Sequence, residues 1–264
     1  MQAACGLLTF LTDFGLVDPF VGVMKGVVSG AHPGLRLIDL THGIRAGGIA
    51  EGAFWLERSY RHFPAGSVHC AVVDPGVGSA RAAVVVAAER HFFVGPDNGL
   101  LAEVTLRAPH VETRLIDRER LGLGEVSHTF HGRDVFGVVA GRLAAQQLAF
   151  GDVGELVHLQ VPSPIPGVVS EADGFLGTIV TADHFGNLIT SLRASEVLPS
   201  NGVPFRVGFA GKMLRSVRTF AEAAPGELVA LVGSFDAVEL VVRDGSALER
   251  LRPVPGANVK LFPS

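Results

Sequence analysis

The stretch that decides the fold reads VHCAVVDPGVGS and spans residues 68–79. Its first part, residues 68–73, is a short apolar run that predicts a buried β-strand. Asp74 follows the run immediately, and the two glycines beyond it allow the backbone to approach a ligand closely. Ligands of open α/β sheets bind just outside the carboxyl ends of the strands. The stretch is therefore typical of a site at the edge of an α/β sheet.

Short apolar runs alternate with helical patterns on both sides of this stretch, over roughly the first 150 residues. The apolar runs predict strands at residues 7–11, 35–40, 68–73, 83–87 and 91–94. The helical patterns predict helices at residues 20–31, 48–61 and 134–147. Such alternation predicts an α/β/α domain with a largely parallel sheet.

Aspartates recur just past the predicted strand ends. They are Asp13, Asp39, Asp74 and Asp97. For any one of them, a role as a turn residue or helix cap is as good an interpretation as a role in a site. Together they predict a polar pocket at the carboxyl edge of the sheet.

The sequence PSPIPG at residues 162–167 predicts a linker, because closely spaced prolines forbid helix and disfavour a central strand. Beyond it, β-prone runs alternate with Gly, Pro and Asn turns. The runs lie at residues 174–193, 205–209, 228–231 and 238–242. The pattern predicts a small antiparallel barrel or sandwich. We therefore divide the chain into an N-terminal α/β domain, residues 1–164, and a C-terminal all-β barrel-like domain, residues 165–264.

Composition excludes several function classes. The net charge is −4, and the 22 Lys and Arg residues form no basic block, which argues against a nucleic-acid partner. No apolar run approaches the roughly 20 residues of a membrane span, so we expect no membrane segment. Cys5 and Cys70 are too few and too far apart for a disulfide framework or a zinc site. The N-terminal apolar run lacks the features of a signal peptide. We expect a cytoplasmic protein.

Two further loops carry reactive side chains. TFHGRD, residues 129–134, places His131 just before a predicted helix, where Asp134 could serve as a cap. An Asp, an Arg and a His in loops at strand or helix ends are the groups needed to orient and polarise a water molecule. Arg81 follows the loop that contains Asp74, and the alternative for it is a surface residue on a tight turn. The alternative for His131 is a structural histidine. DHFGN, residues 183–187, is also consistent with a simple hairpin turn.

Seven segments stand out along the chain. They are LTDFG (residues 11–15), DLTH (39–42), DPGVGSAR (74–81), VGPDNGLL (94–101), TFHGRD (129–134), DHFGN (183–187) and GSF (233–235). In this order they resemble the S-adenosylmethionine hydroxide adenosyltransferase family, whose relatives include the fluorinase and chlorinase enzymes. The resemblance covers nearly the whole chain.

That resemblance implies an enzyme that binds S-adenosylmethionine and cleaves it with water into adenosine and methionine. It implies a homotrimer in which the N-terminal domain of one subunit and the C-terminal domain of its neighbour share the substrate. The N-terminal domain would carry the water-activating residues and the ribose site, and the C-terminal domain the methionine and adenine contacts. It implies no cofactor and no metal ion.

The resemblance also implies roles for substrate-binding residues. Asp13 would hold the ribose hydroxyls, since a carboxylate accepts two hydrogen bonds. Asp183 and Asn187 would bind the methionine end, with Asp183 facing the ammonium group. Ser234 would add a polar contact, and Phe185 would form an apolar wall. The backbone at residues 234–238 would meet the adenine edge.

The family's hydrolases carry an Asp, Arg and His set that matches Asp74, Arg81 and His131. His131 would contact or deprotonate the attacking water, Asp74 would orient it, and Arg81 would favour hydroxide character. The halogenating relatives show Tyr at the Asp74 position, and Tyr-Ser or Tyr-Gly at the position of His131 and Gly132. The set in this chain therefore indicates a hydrolase. One departure is the segment at residues 45–48, which lacks the adenine-stacking aromatic residue common among relatives.

Two other functions are consistent with parts of the pattern. Polar residues at one sheet edge could ligate two cations in a metal-dependent phosphohydrolase. They are Asp13, His42, Asp74, Asp97 and His131. Against this, the first strand ends in Asp-Phe-Gly, where a binuclear site would want Asp-x-His, and no His pair follows at ligand spacing. The second alternative is a non-catalytic sensor of S-adenosylmethionine or adenosine, which a turnover measurement would separate from an enzyme.

Overall fold

A mixed sheet organises the first of the two units into which the chain divides, Met1–Pro164 and Ile165–Ser264. The computed structural model describes residues 3–200 and 203–263. Within the described part of the first unit, the strands are β1 (Leu7–Thr12), β2 (Arg36–Thr41), β3 (Val68–Val72), β4 (Ala83–Ala88), β5 (His91–Pro96), β6 (Val111–Leu115) and β7 (Leu156–Val157). The helices are α1 (Phe20–Ala31), α2 (Ile49–Ser59), α3 (Ala102–Arg107) and α4 (Val138–Ala144). A π-helical turn, Gly132–Gly137, leads directly into α4.

The strand order is β2-β1-β3-β5-β4-β6-β7. Strands β2, β1, β3 and β5 run parallel, whereas β4, β6 and β7 join by antiparallel pairing. In the parallel part, Thr12 at the end of β1 lies opposite Val72 at the end of β3. Asp13 and Asp74 therefore leave the sheet at the same edge, as the sequence predicts.

Helices cover both faces of this sheet. Successive residues of β1 point to opposite faces, since side chains alternate along a strand. Phe10 packs in one core cluster with Met24 of α1 and Leu143 of α4. Leu11 packs in another cluster with Leu56 of α2. The first unit is therefore an α/β/α domain, which confirms the predicted fold class.

Three sequence-based boundaries need correction. The predicted helix at residues 134–147 is a π-helical turn, Gly132–Gly137, followed by the shorter α4. The predicted helix at residues 48–61 ends at Ser59, and a 3₁₀ turn, Tyr60–His62, follows it. Asp39 lies inside β2, because that strand continues to Thr41 alongside β1, and does not lie past its end.

The second unit is built from antiparallel strands. Its strands are β8 (Val169–Glu171), β9 (Gly174–Ala182), β10 (Leu188–Arg193), β11 (Phe205–Phe209), β12 (Lys212–Arg215), β13 (Leu228–Val232), β14 (Ala237–Val242) and β15 (Asn258–Pro263). Two short helices, α5 (Ala194–Val197) and α6 (Ala247–Leu251), and a 3₁₀ turn, Phe220–Glu222, interrupt them. The main strand order is β12-β11-β15-β9-β10-β14-β13.

The sheet of the second unit nearly closes on itself. Ser216, just after β12, forms a bridge with Ala230 of β13, so the two edge strands meet. Inside, buried residues from several strands, including Ile179, Val207 and Leu240, form one core. The unit is barrel-like, as expected from its short strands and turns. Across residues 3–200 and 203–263, no helix is long and apolar enough to cross a membrane.

Candidate active site

The centre of the site is an ion pair between Asp74 and Arg81. Arg81 Nε donates to Asp74 Oδ1 at 2.9 Å, and Arg81 Nη2 donates to the other carboxylate oxygen. Both side chains are largely buried, with exposures of 4% for Asp74 and 9% for Arg81. A two-point pair of this kind holds the guanidinium in a defined plane. The alternative interpretation of Arg81 as a surface residue on a tight turn is therefore wrong.

His131 completes the group through the same arginine. Arg81 Nη2 lies 2.8 Å from His131 Nδ1. An arginine only donates hydrogen bonds, so Nδ1 of His131 accepts. In the neutral imidazole the proton then lies on Nε2. The structure thus brings Asp74, Arg81 and His131 together and leaves His131 with a free N–H donor.

The neutral state of His131 has clear physical causes. Burial lowers its pKa below the ordinary value of 6.5, and the positive charge of Arg81 lowers it further. The Asp74 carboxylate opposes this effect, and Arg118 adds to it. At neutral pH the imidazole is uncharged.

The aromatic residues around His131 position it against the rest of the sheet edge. Phe14, directly after Asp13, packs edge-on against Phe130, directly before His131, with ring centroids 6.0 Å apart. A methyl group on Gly132 would lie 3.3 Å from the Phe14 ring. A larger residue would make the Phe14 ring and its neighbours shift slightly, so the packing favours the Gly in the TFHGRD segment.

The ring of Phe136 packs against the guanidinium group of Arg81. The guanidinium carbon of Arg81 lies 5.1 Å from the centroid of the Phe136 ring, within the range of a cation–π contact. Phe136 belongs to the π-helical turn that follows His131. Since π-turns often occur at functional sites, the irregular start of α4 is consistent with this role.

Asp13 reaches the same edge through the loop at residues 45–48. The Gly47 N–H donates to Asp13 Oδ2 at 2.8 Å. A methyl group on Gly47 would lie 3.9 Å from Cβ of Pro75, so the loop also touches the residue next to Asp74. Gly47 has a φ of +69°, which favours glycine over any aromatic residue. The loop that lacks the stacking aromatic thus fixes the Asp13 carboxylate.

A cavity of about 650 Å³ opens beside His131. Its wall includes Ser79 from the Asp74 loop and His128 from the segment before His131. Arg118 and Glu119 add one charge of each sign. The imidazole of His131 therefore borders a cavity that is open to solvent.

Two of the predicted strand-end aspartates have other partners. Asp97 accepts hydrogen bonds from the backbone N–H groups of Gln160, at 2.8 Å, and Val161, at 3.3 Å. Asp39 pairs with Lys25 at 2.6 Å. Asp39 and Asp97 therefore form contacts that do not include Asp74, Arg81 or His131.

His42 and Asp134 are also occupied. His42 Nδ1 lies 2.8 Å from the Thr12 hydroxyl. Asp134 does not cap the helix; it pairs with Arg133 and accepts from the Ser127 N–H at 2.9 Å. Among the described residues, no group of three or more His, Cys, Asp or Glu side chains is arranged to hold a metal ion.

In the second unit, Asp183 organises the turn between β9 and β10. Its Oδ1 accepts from the N–H groups of Phe185 and Asn187, both at 2.9 Å, and its Oδ2 accepts from the Asn187 side chain at 2.8 Å. The ring of Phe185 is left 76% exposed. Gly186 has a φ of +81° and packs so tightly on Ser246 that a side chain would collide with it. The turn thus presents an aromatic ring beside a fixed carboxylate.

Ser234 lies exposed in the turn between β13 and β14. Next to it, Gly233 lies against the carboxyl group of Glu239, so a side chain at position 233 would have to push that carboxyl group aside. Sequence analysis did not single out Glu239, although a carboxylate within an otherwise apolar strand was a usable signal.

Comparison with known proteins supports one family. Residues 8–154 match the SAM hydroxide adenosyltransferase N-terminal domain, and residues 177–260 match the corresponding C-terminal domain. The chain is 40% identical to an (R)-S-adenosyl-L-methionine hydrolase of Salinispora tropica, over 96% of this chain and 97% of the relative. It is 25% identical to a fluorinase of an Actinoplanes species, over 72% and 73% of the two chains. An uncharacterized conserved protein from Thermotoga maritima has a similar crystal structure, with a TM-score of 0.87, 30% identity, and coverage of 97% and 99%.

Proposed function

The chain belongs to the SAM hydroxide adenosyltransferase family and hydrolyses S-adenosyl-L-methionine to adenosine and L-methionine, and we propose that Asp74, Arg81 and His131 prepare the attacking water. The observation that carries this assignment is that Arg81 donates hydrogen bonds to Asp74 and to His131 at once. The buried Arg81 guanidinium thereby fixes the positions of the Asp74 carboxylate, an acceptor, and the His131 imidazole, a donor.

The substrate sets what the residues must do. When the oxygen of water attacks C5′, the C5′–O bond forms, the C5′–S bond breaks, and its electron pair stays on sulfur. The sulfonium becomes the neutral thioether of methionine, and one proton of the water passes to solvent. Because the leaving group is already activated, alignment of the water contributes most of the catalysis. We extend to this chain the (R) configuration in the name of the Salinispora relative.

We assign the donor role to His131. Since its Nδ1 accepts from Arg81, Nε2–H is free to donate to the attacking oxygen. Of the two roles suggested by the resemblance, contact with the water fits this tautomer, and deprotonation by His131 does not. Asp74 retains lone pairs beyond its bonds to Arg81 and accepts a hydrogen bond from the water. Arg81 favours hydroxide character through its charge.

The charge of Asp74 also supports hydrolysis over halogenation. A largely buried carboxylate beside the nucleophile's position accepts a hydrogen bond from water, whereas chloride and fluoride have no proton to donate to it.

Substrate binding follows the family pattern in our proposal. Asp13 holds the ribose hydroxyls with the carboxylate that Gly47 orients. Asp183 and Asn187 hold the methionine end, Ser234 adds a polar contact, and Phe185 covers an apolar face. The exposed ring of Phe185 is consistent with a residue that packs against a ligand.

We further propose that the enzyme is a homotrimer that acts in the cytoplasm. The trimer would join the N-terminal domain of one subunit and the C-terminal domain of the next around each substrate. The described cysteines, Cys5 and Cys70, are both free, which is consistent with a reducing compartment.

The decisive experiment is turnover in ¹⁸O-labelled water. Purified protein, incubated with S-adenosyl-L-methionine in ordinary buffer, should release methionine and adenosine with the label in the 5′-hydroxyl. A chelator should leave the rate unchanged. Binding without turnover would indicate a sensor, unlabelled adenosine would exclude attack by solvent at C5′, and loss of the rate with chelator would contradict the metal-free mechanism.

A further inference from the structure

Glu239 lies in the second sheet, near the residues proposed to hold the methionine end. It pairs with Ile189 of β10 on one side and with Leu231 of β13 on the other. Asn187 lies directly before β10 and Gly233 directly after β13, so both lie within two positions of a residue paired with Glu239. The side chain of Glu239 lies between the β9–β10 turn and the β13–β14 turn.

Glu239 is a buried residue, but its carboxyl oxygens are not among the polar side-chain atoms that are fully enclosed without a partner. Glu239 is 8% exposed. Within residues 3–200 and 203–263, the structure shows no hydrogen bond or ion pair to it. The carboxyl group therefore reaches solvent and is open to a ligand, and ionisable groups with shifted pKa values cluster at functional sites.

The packing of Gly233 fixes where this carboxyl group lies. A methyl group built on Gly233 would overlap Oε1 of Glu239. The glycine next to Ser234 thus gives the Glu239 carboxyl group its place beside the β13–β14 turn. A close approach, and no special backbone angle, explains the glycine at this position.

The negative charge of Asp183 affects the ionisation of Glu239. Burial raises the pKa of Glu239 to about 7, and the nearby Asp183 carboxylate contributes to the rise. Two neighbouring carboxylates with no cation between them disfavour each other's ionised form. A positive group placed between them would relieve this repulsion.

The neighbouring charges do not supply that positive group. Asp236, in the β13–β14 turn, accepts from the Ser195 N–H at 2.9 Å and lies 3.7 Å from a guanidinium nitrogen of Arg193. That arginine is therefore already engaged by another carboxylate.

The cavity beside Gly233 likewise brings no free cation to Glu239. Arg218 lines this cavity together with Glu222. The two side chains pair with each other at 3.2 Å. On the β9–β10 side, His184 is exposed at the tip of the turn.

We propose that Glu239 is a substrate-binding residue that takes the α-ammonium group of the methionine moiety jointly with Asp183. This inference rests on the proposed function. An ammonium group has three N–H donors. Since Asp183 already accepts three hydrogen bonds within its own turn, a second carboxylate is needed to satisfy the ammonium group fully.

In this arrangement, binding of the substrate ammonium group is coupled to release of a proton from Glu239. Glu239 is partly protonated near pH 7, and an ammonium ligand favours its ionised form, so binding near neutral pH releases a proton. The affinity for substrate therefore rises as the pH increases through about 7. A purely structural Glu239 would show no such dependence.

The test compares Glu239→Gln with the matched control Glu249→Gln, whose side chain is exposed in the same unit. Two unreactive ligands separate the roles: S-adenosylhomocysteine carries the α-ammonium group, and 5′-methylthioadenosine lacks it. At pH 8, we expect Glu239→Gln to weaken S-adenosylhomocysteine binding about tenfold or more in calorimetry. Binding of 5′-methylthioadenosine, and all constants of the control, should stay unchanged.

The kinetic counterpart is a KM that rises while kcat stays within about twofold, with the pH dependence of KM near 7 lost. Gly233→Ala, which pushes the Glu239 carboxyl group aside without removing it, should act in the same direction. Equal weakening of both ligands, or no weakening of either, would overturn the inference. If the parent binds S-adenosylhomocysteine in the expected manner but does not turn over substrate, the proposed function fails and the role of Glu239 stands.

Discussion

Arg81 Nη2 lies 2.8 Å from His131 Nδ1 while the same guanidinium holds Asp74. The distance decides the tautomer of the histidine, because arginine cannot accept a hydrogen bond. It also decides the protonation state, since a doubly protonated imidazole would point an N–H at a cation. We therefore propose that His131 acts as a neutral donor, and the substitutions below test that assignment.

His131→Gln and His131→Asn should differ. The longer glutamine amide can place an N–H near the position of Nε2, whereas the shorter asparagine amide reaches only the position of Nδ1. If His131 donates to the attacking water, Gln retains more activity than Asn, by about tenfold in kcat. Initial rates at saturating S-adenosyl-L-methionine measure this. Equal and complete loss in both variants would instead favour His131 as a base.

Asp74→Asn should lower kcat by a factor on the order of 10² or more and leave KM nearly unchanged. The substitution keeps the size of the side chain but replaces an acceptor facing Arg81 with an N–H₂ group. The control is Asp152→Asn, a mostly exposed carboxylate that pairs with Arg120. A parental rate in Asp74→Asn would mean that Asp74 is a structural loop residue.

Arg118→Gln should move the acid limb of the pH–rate profile. Activity requires neutral His131, so the rate falls as the pH drops through the lowered pKa of that residue. Because the charge of Arg118 helps to lower this pKa, its removal raises the pKa, and the limb moves to higher pH. The plateau should not change, and Arg120→Gln serves as the control. An unmoved limb would show that the limb reports another group.

His69 should make the fold sensitive to acid. It is fully buried, stacks on Phe93, and lies with its Nε2 3.2 Å from Nδ1 of His91. Burial lowers the pKa of His69 to about 3, and His91 contributes. The unfolded chain binds this proton near pH 6.5, so stability falls as the pH drops from 6.5 toward 3, by up to about 1.4 kcal/mol per pH unit.

In His69→Gln, urea unfolding should show a shallower loss of stability over the same pH window. Total stability at pH 8 will be lower, because the substitution disturbs a packed core. The prediction concerns the slope. An unchanged slope would show that His69 is not the group responsible.

The assembly can be measured directly. If each site joins two subunits, head-to-tail contacts that close a ring predict a trimer in sedimentation equilibrium. Dilution below the dissociation concentration should abolish activity together with assembly. A fully active monomer would refute a shared site.

The sequence by itself determined the layers of the fold and the sheet edge at which the proposed reacting centre lies. Alternating runs of apolar residues specify strands and helices through their periods, and these are local properties. The position of Asp74 just beyond the end of β3 needed no tertiary information, since parallel strands present their carboxyl ends at one edge. Asp13 follows β1 for the same reason.

Only the tertiary structure decided which polar residues meet. Asp97 satisfies the same sequence rule as Asp74, yet the backbone of Gln160 engages it, and Asp39 lies inside β2 and pairs with Lys25. The tautomer of His131 depends on Arg81, 50 residues away in sequence. Glu239 became visible as a site residue only when β14 was paired with its neighbours. Hydrogen-bond partners and burial are set by contacts between distant segments, and local periodicity carries no information about them.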